Sequence, residues 1–200
     1  MENNGAMIDT LVFNAEDHTY HHNGNPVPSV TTLLEPYSNL NCVDPQILAE
    51  AAEFGTNVHD AVDIWNRGML DEEDLAINSP LVCEYLEGWK KFIDDSGAVV
   101  IESECRVFSK KGYAGTLDSI CAVNKTNRIY DVKTGSTVPK STGVQLAAYE
   151  AAYREMNGGK KMRRYCVHLK PKSYNLIPFN DPGDYDIFNA ILTVRKWQLA

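Results

Sequence analysis

The spacing of apolar residues changes character near Ala98, and that change restricts the chain to a fold mixing helices with a sheet. Before this point apolar residues recur every three or four positions; after it they gather in short β-branched runs. Phe54, Val58, Ala61, Val62 and Trp65 share one helical face. Their segment opens at Asp44-Pro45, a capping acid with proline in the first turn, and stops near Arg67-Gly68. Ser79-Pro80 starts another helix, carrying Leu81, Tyr85, Trp89 and Phe92 and ending before Ser96-Gly97. Asp71-Glu72-Glu73-Asp74 between the two reads as an acidic linker.

Beyond Ala98, the β-rich runs Val99-Val100-Ile101, Arg106-Val107-Phe108, Leu117 to Val123 and Arg128 to Val132 are broken by Lys110-Lys111-Gly112 and by Asn124 to Asn127. This predicts a three-stranded meander. A helix from about Thr142 to Met156, strands over Arg164 to Leu169 and Leu176-Ile177, and a helix over Asp186 to Leu199 follow. Ahead of everything, Leu11-Val12-Phe13, His18-Thr19-Tyr20, Asn23-Gly24 and Pro26-Val27 read as a β-ribbon, because Asn-Gly is the strongest two-residue hairpin signal. Ser29 caps a short helix that Pro36 ends. The expected fold class is α/β, a mixed central sheet flanked by helices. A chain of 200 residues suits one domain, with residues 1–35 as ribbon, 36–97 helical and 98–200 as the core.

Hydrophobic residues at 44% and charged residues at 23% are globular averages, so disorder, collagen and coiled coil drop out. No apolar run approaches the ~20 residues that span a bilayer, and no basic stretch precedes an apolar one near Met1. The expectation is a cytoplasmic protein with no membrane partner. Five widely spaced cysteines (Cys42, Cys83, Cys105, Cys121 and Cys166) lack CxxC or CxxH spacing, so no zinc is expected and the thiols read as reduced. The net charge of −8 divides unevenly: 18 acids against three bases in residues 1–100, and nine against 16 in residues 101–200. Lys160, Lys161, Arg163, Arg164, Lys170 and Lys172 could therefore offer phosphates a basic strip on an acidic protein.

The chemistry is concentrated in Gly115-Thr116-Leu117-Asp118 and Asp131-Val132-Lys133-Thr134-Gly135. Strand alternation sends Asp131 and Lys133 to the same face, with Val132 toward the core. Two carboxylates at the ends of adjacent strands repel, and a divalent cation relieves them. An oxygen-rich site of this kind suits Mg2+ or Mn2+. An isolated DxK is commonly only a surface ion pair. Here Glu104 stands on the preceding strand, and Gln145 and Tyr149 share a helical face.

Five elements occur in order: Gly55-Thr56-Asn57-Val58-His59, Glu104, Gly115-Thr116-Leu117-Asp118, Asp131-Val132-Lys133-Thr134 and Gln145-Leu146-Ala147-Ala148-Tyr149. With Pro28-Ser29-Val30-Thr31 ahead of them, the chain resembles the RecB-like exonuclease branch of the PD-(D/E)XK nuclease superfamily, including phage exonucleases that carry a PSVT element. The resemblance covers residues 28–149 and implies a restriction-endonuclease-like core. It implies Asp118 and Asp131 as metal-binding carboxylates, the Val132 carbonyl completing the shell, and His59 as a further ligand. It implies Glu104 at a second metal or a metal-bound water, with Glu102 as its competitor.

Lys133 would either orient and deprotonate the attacking water or stabilise the phosphate. Gln145, Tyr149 and Thr134 would brace the site or meet the nucleic-acid backbone, and Ser29 and Lys140 are further contact candidates. One or two Mg2+ or Mn2+ ions are implied, and no iron–sulfur cluster, because Cys166 stands alone near the C-terminus. The implied activity is metal-dependent DNA hydrolysis from single-stranded or free ends, in recombination, replication or repair, alone or with other proteins of such a complex. An endonuclease on the same core and a catalytically silent DNA-binding or partner-binding protein are the alternatives. His18, His21 and His22 read as exposed strand residues, and Tyr37 and Trp65 as core aromatics or base-stacking platforms.

Overall fold

The structure is a computed structural model that describes residues 10–14, 17–37 and 44–199. Cys42, expected as a reduced thiol, and residues 1–9, expected to carry no targeting segment, lie outside the described residues. The ribbon is a three-stranded antiparallel sheet of β1 (Leu11–Asn14), β2 (Thr19–His22) and β3 (Asn25–Val27). Its second turn is Asn23-Gly24, with φ of 51° and 80°, the left-handed pair that a two-residue hairpin demands. Ser29 caps α1 (Val30–Leu34) by accepting the Thr32 N–H. The Ala114 N–H donates to the Pro28 carbonyl and seats this corner on the main sheet.

Two long helices follow. Asp44 caps α2 (Pro45–Asn66) by accepting the Gln46 N–H, and α4 (Pro80–Ser96) stops at Gly97 in the left-handed conformation. The acidic stretch between them is not a linker but helix α3 (Glu72–Asn78): Asp71 accepts the Asp74 N–H, and three acids in the first turn suit the positive end of the helix dipole. Leu81 is 52% exposed, a departure from the expected face. The buried stripe of α4 runs through Val82, Leu86, Trp89 and Phe92 instead.

The main sheet has the order β4 (Val99–Ser109), β5 (Tyr113–Val123), β6 (Thr126–Lys133), β7 (Arg163–Lys170), β8 (Ser173–Pro178). Neighbours are antiparallel except β6 and β7, which run parallel because α5 (Ser141–Asn157) carries the chain across between them. The chain closes with α6 (Asp184–Leu199). The two runs either side of Glu104 are a single strand, interrupted by a register shift near Ile101 and by Glu104 itself at φ 47°.

Apolar residues fill both faces of this mixed sheet. One face packs under α1, α5 and α6 through Leu33, Tyr113, Leu117, Leu146 and Phe188, and the other under α2 and α4 through Val58, Leu86, Trp89, Val132 and Val167. Arg164, expected among surface cations, is instead 1% exposed. Its guanidinium donates to the Gly143 and Asp181 carbonyls and to Asp184, tying α6 to the start of α5. Strand alternation explains the difference, since its neighbour Arg163 faces solvent. Among the described residues no helix is long and apolar enough to cross a membrane.

Candidate active site

The β5–β6 ladder ends at Ser119 opposite Tyr130. At the next position the Asp118 side chain takes over from the backbone: its Oδ2 accepts the Val132 N–H at 2.6 Å. That bond fixes a carboxylate where the two strands part. On the other side of β5, the register that sets Ser103 against Ser119 and Cys105 against Leu117 leaves Glu104 facing Asp118. From α2, His59 Nδ1 reaches to 3.5 Å from Asp118 Oδ2 and 4.0 Å from Glu104 Oε1. Ligand atoms of His59, Glu104 and Asp118 all lie within 4.8 Å of one another, a group able to hold a metal ion.

The left-handed backbone at Glu104 separates it from Glu102, although plain alternation would give both the same face. Glu102 turns away and accepts the Tyr153 hydroxyl proton. Strand alternation alone gives no sign of that kink; the preference for Glu104 rests on the resemblance, in which Glu104 precedes Val107 in an E-x-x-V pattern.

Asp131 is 1% exposed and stands outside the three-residue group. Its Oδ1 pairs with Lys133 Nζ at 2.8 Å, while its Oδ2 is buried with no hydrogen-bond partner. An unpartnered carboxylate oxygen in the interior is costly, and a hard cation is one kind of partner that chemistry suits. Val132 contributes its N–H to Asp118 and its side chain to the core. Of the residues expected around a metal, His59, Glu104 and Asp118 come together, whereas Asp131 lies outside that group and pairs with Lys133.

The remaining motif residues explain one another. A Cβ on Gly115 would fall 2.4 Å from Tyr149 Cε1, so the glycine of one motif makes room for the tyrosine of another. Gln145 Nε2 donates to the Tyr149 hydroxyl at 3.3 Å. A Cβ on Gly55 would meet Thr134 Oγ1 at 3.5 Å, which brings α2 against the end of β6. Ser29 is buried, its hydroxyl engaged with Thr31, Thr32 and the Thr32 N–H. Lys140 is exposed at the start of α5.

Of the ribbon histidines, His22 is not simply exposed: its ring stacks on Phe108 with centroids 3.7 Å apart. Tyr37 is exposed, and the Trp65 indole donates to Glu72. His168 escaped the sequence reading. It is the register partner of Lys133, and its Nε2 lies 2.6 Å from the Gly135 carbonyl, which Lys170 Nζ also approaches at 3.3 Å. A histidine inside an apolar strand carries no signal beyond that of a core residue. An open depression of about 310 Å3 between the end of α2 and the first half of β4 is lined by Asn66, Arg67 and Glu102, not by Lys133.

Burial, with repulsion from Asp118, Asp63 and Asp60, pushes Glu104 up to about 8. Burial likewise lifts Asp131 to about 6, against the pull of Lys133. Burial alone would lower Lys133, but Asp131 and Asp118 outweigh it and raise it. Between its ordinary value and its raised one, each carboxyl is protonated in the folded chain while its unfolded counterpart is ionised. Folding stability therefore falls as pH climbs from about 4.5 toward about 8, and is unaffected by Glu104 below that window. A cation at the site removes the penalty. The melting temperature gain from Mn2+ over EDTA is expected to be larger at pH 8 than at pH 5; an equal gain at both would show that these carboxyls do not hold the ion.

No protein-family model and no curated protein matches the chain. The crystal structure of SSO0001 is similar over 86% of this chain and 84% of that one, at 17% identity and a TM-score of 0.36, a likeness that carries no argument.

Proposed function

We propose that the chain is a Mg2+- or Mn2+-dependent deoxyribonuclease on a restriction-endonuclease-like core, of the RecB-like exonuclease kind, acting on single-stranded or free DNA ends. The observation that carries this reading is the convergence of His59, Glu104 and Asp118 from three separate elements, beside a buried Asp131 with one unpartnered oxygen and an amine at 2.8 Å. A purely structural ion pair would not need the histidine or leave that oxygen orphaned. The element order from α4 onward, helix, three antiparallel strands, helix, strand, agrees with the proposed core.

His59, Glu104 and Asp118 would hold the cation, with Asp131 beside them. When bound, Mg2+ or Mn2+ supplies positive charge at the scissile phosphate and acidifies water. Lys133, kept cationic by Asp131, stabilises the charge that builds on the phosphate oxygens. Asp118 holds the strand ends in register through the Val132 N–H, so the reacting groups keep their spacing. Water is the nucleophile, and no serine or cysteine is required.

The test is cleavage of end-labelled linear single-stranded DNA and of a single-stranded circle, each with Mg2+, with Mn2+ and with EDTA. Linear strands are expected to shorten only with metal, and circles to survive. Cutting of circles would replace the exonuclease by an endonuclease on the same site. No cutting by folded protein in either metal would leave a nucleic-acid-binding or partner-binding protein.

A further inference from the structure

On β4 and β5, three successive cross-strand pairs share one face: Phe108 with Ala114, Arg106 with Thr116, and Glu104 with Asp118. The intervening pairs, Val107 with Gly115 and Cys105 with Leu117, point the other way, into the core beneath α5. The carboxylate end of this row faces His59. Its other end lies under the N-terminal ribbon, with His22 stacked on Phe108 and the Tyr20 hydroxyl 2.7 Å from Thr116 Oγ1. Ribbon and metal-binding residues are thus neighbours on a single surface.

Arg106 occupies the middle of that row. Its guanidinium lies 5.6 Å from the centroid of Phe13, whose ring packs at 4.7 Å on Tyr20. The side chain is exposed, and none of the ion pairs among the described residues includes it. Two residues of strand, about 7 Å, separate it from the Glu104–Asp118 pair. A polyanion approaching the carboxylates of Asp118 and Asp131 meets repulsion, and Arg106, one step away and outside every ion pair among the described residues, offsets it. The aromatic seat restricts the guanidinium without neutralising it.

We propose that Arg106 is a phosphate-binding residue that grips the nucleic-acid strand beside the carboxylate site, making the N-terminal ribbon one wall of the strand-binding surface. This rests on the nuclease reading for its ligand, and the ligand is the phosphodiester backbone of single-stranded DNA. A phosphate at the carboxylates leaves a flanking phosphate within reach of Arg106. The contact carries no base information, so it acts equally on all sequences.

The test is fluorescence anisotropy of a labelled oligothymidylate in Ca2+, over a series of salt concentrations, for wild type, Arg106→Gln and Arg106→Lys. Loss of one phosphate contact is expected to weaken binding roughly tenfold at low salt and to lower the slope of log K against log salt by about 0.7. Arg106→Lys keeps the charge and should keep the slope while losing the bidentate fit. Because Arg106 is exposed, its variants should melt as wild type does. An unchanged slope in Arg106→Gln overturns the proposal even if wild type cuts DNA. Binding without cutting, with the slope reduced, supports Arg106 while the nuclease reading fails. A wild type that neither binds nor cuts overturns both.

Discussion

Asp118→Asn is expected to reduce metal-dependent cleavage by about 10³-fold or more while leaving the fold nearly as stable. Asp118 does two jobs, and this substitution separates them. Its Oδ2 accepts the Val132 N–H at 2.6 Å, and an asparagine oxygen can take over that role. The negative charge facing His59 and Glu104 is lost, and with it the electrostatic hold on a divalent cation. Asp118→Ala removes both, and the orphaned N–H adds about 1–3 kcal/mol of destabilisation. Single-turnover cleavage, urea melts and the Mn2+-induced shift in melting temperature read the three consequences separately. An Asp118→Asn protein that cuts at close to the wild-type rate would remove this carboxylate from the chemistry.

A large effect on stability is expected at Gly115, where two site motifs meet. A Cβ there would sit 2.4 Å from Tyr149 Cε1 and 3.2 Å from two further ring atoms. Neither side can give way easily: the strand is paired on β4, and the ring is 4% exposed with its hydroxyl accepting from Gln145. Gly115→Ala should cost about 3 kcal/mol, in the upper range for overpacked cores. Tyr149→Leu, which removes the clashing ring edge, should make the same glycine substitution cheaper by at least about 1 kcal/mol in a double-mutant cycle. Simple additivity would show that the two motifs are not joined by this contact. Asp118 lies three residues along the same strand, so cleavage should fall in Gly115→Ala and partly recover with the smaller partner.

Most elements were legible because their apolar residues keep one period throughout. Phe54, Val58, Ala61, Val62 and Trp65 do line the inner face of α2, and Asp44, Ser29 and Gly97 mark the helix ends where their capping chemistry places them. What stayed hidden depends on contacts between distant segments. The acidic run at 71–74 resembles a solvated linker until Leu75 finds its place beside α4. Arg164 resembles any surface cation until the Gly143 and Asp181 carbonyls surround it. At the site, residue types and order could be read, and the E-x-x-V pattern favours Glu104 over Glu102, but the left-handed backbone position that turns the two acids apart and the separation of Asp131 from the histidine group come from three-dimensional packing.

The strand order of the main sheet has a consequence for how the protein reaches its folded state. Four of its strand neighbours in space are neighbours in sequence, and three of the four joins are antiparallel hairpins that close over short loops. Only the parallel join of β6 to β7 is non-local, with α5 between its strands, and closing it costs more chain entropy than closing a hairpin. Asp131 and Lys133 lie on that join, opposite Cys166 and His168. The seam expected to close last is therefore the one on which the Asp131–Lys133 pair lies, so the candidate site is expected to assemble after the hairpins of the sheet.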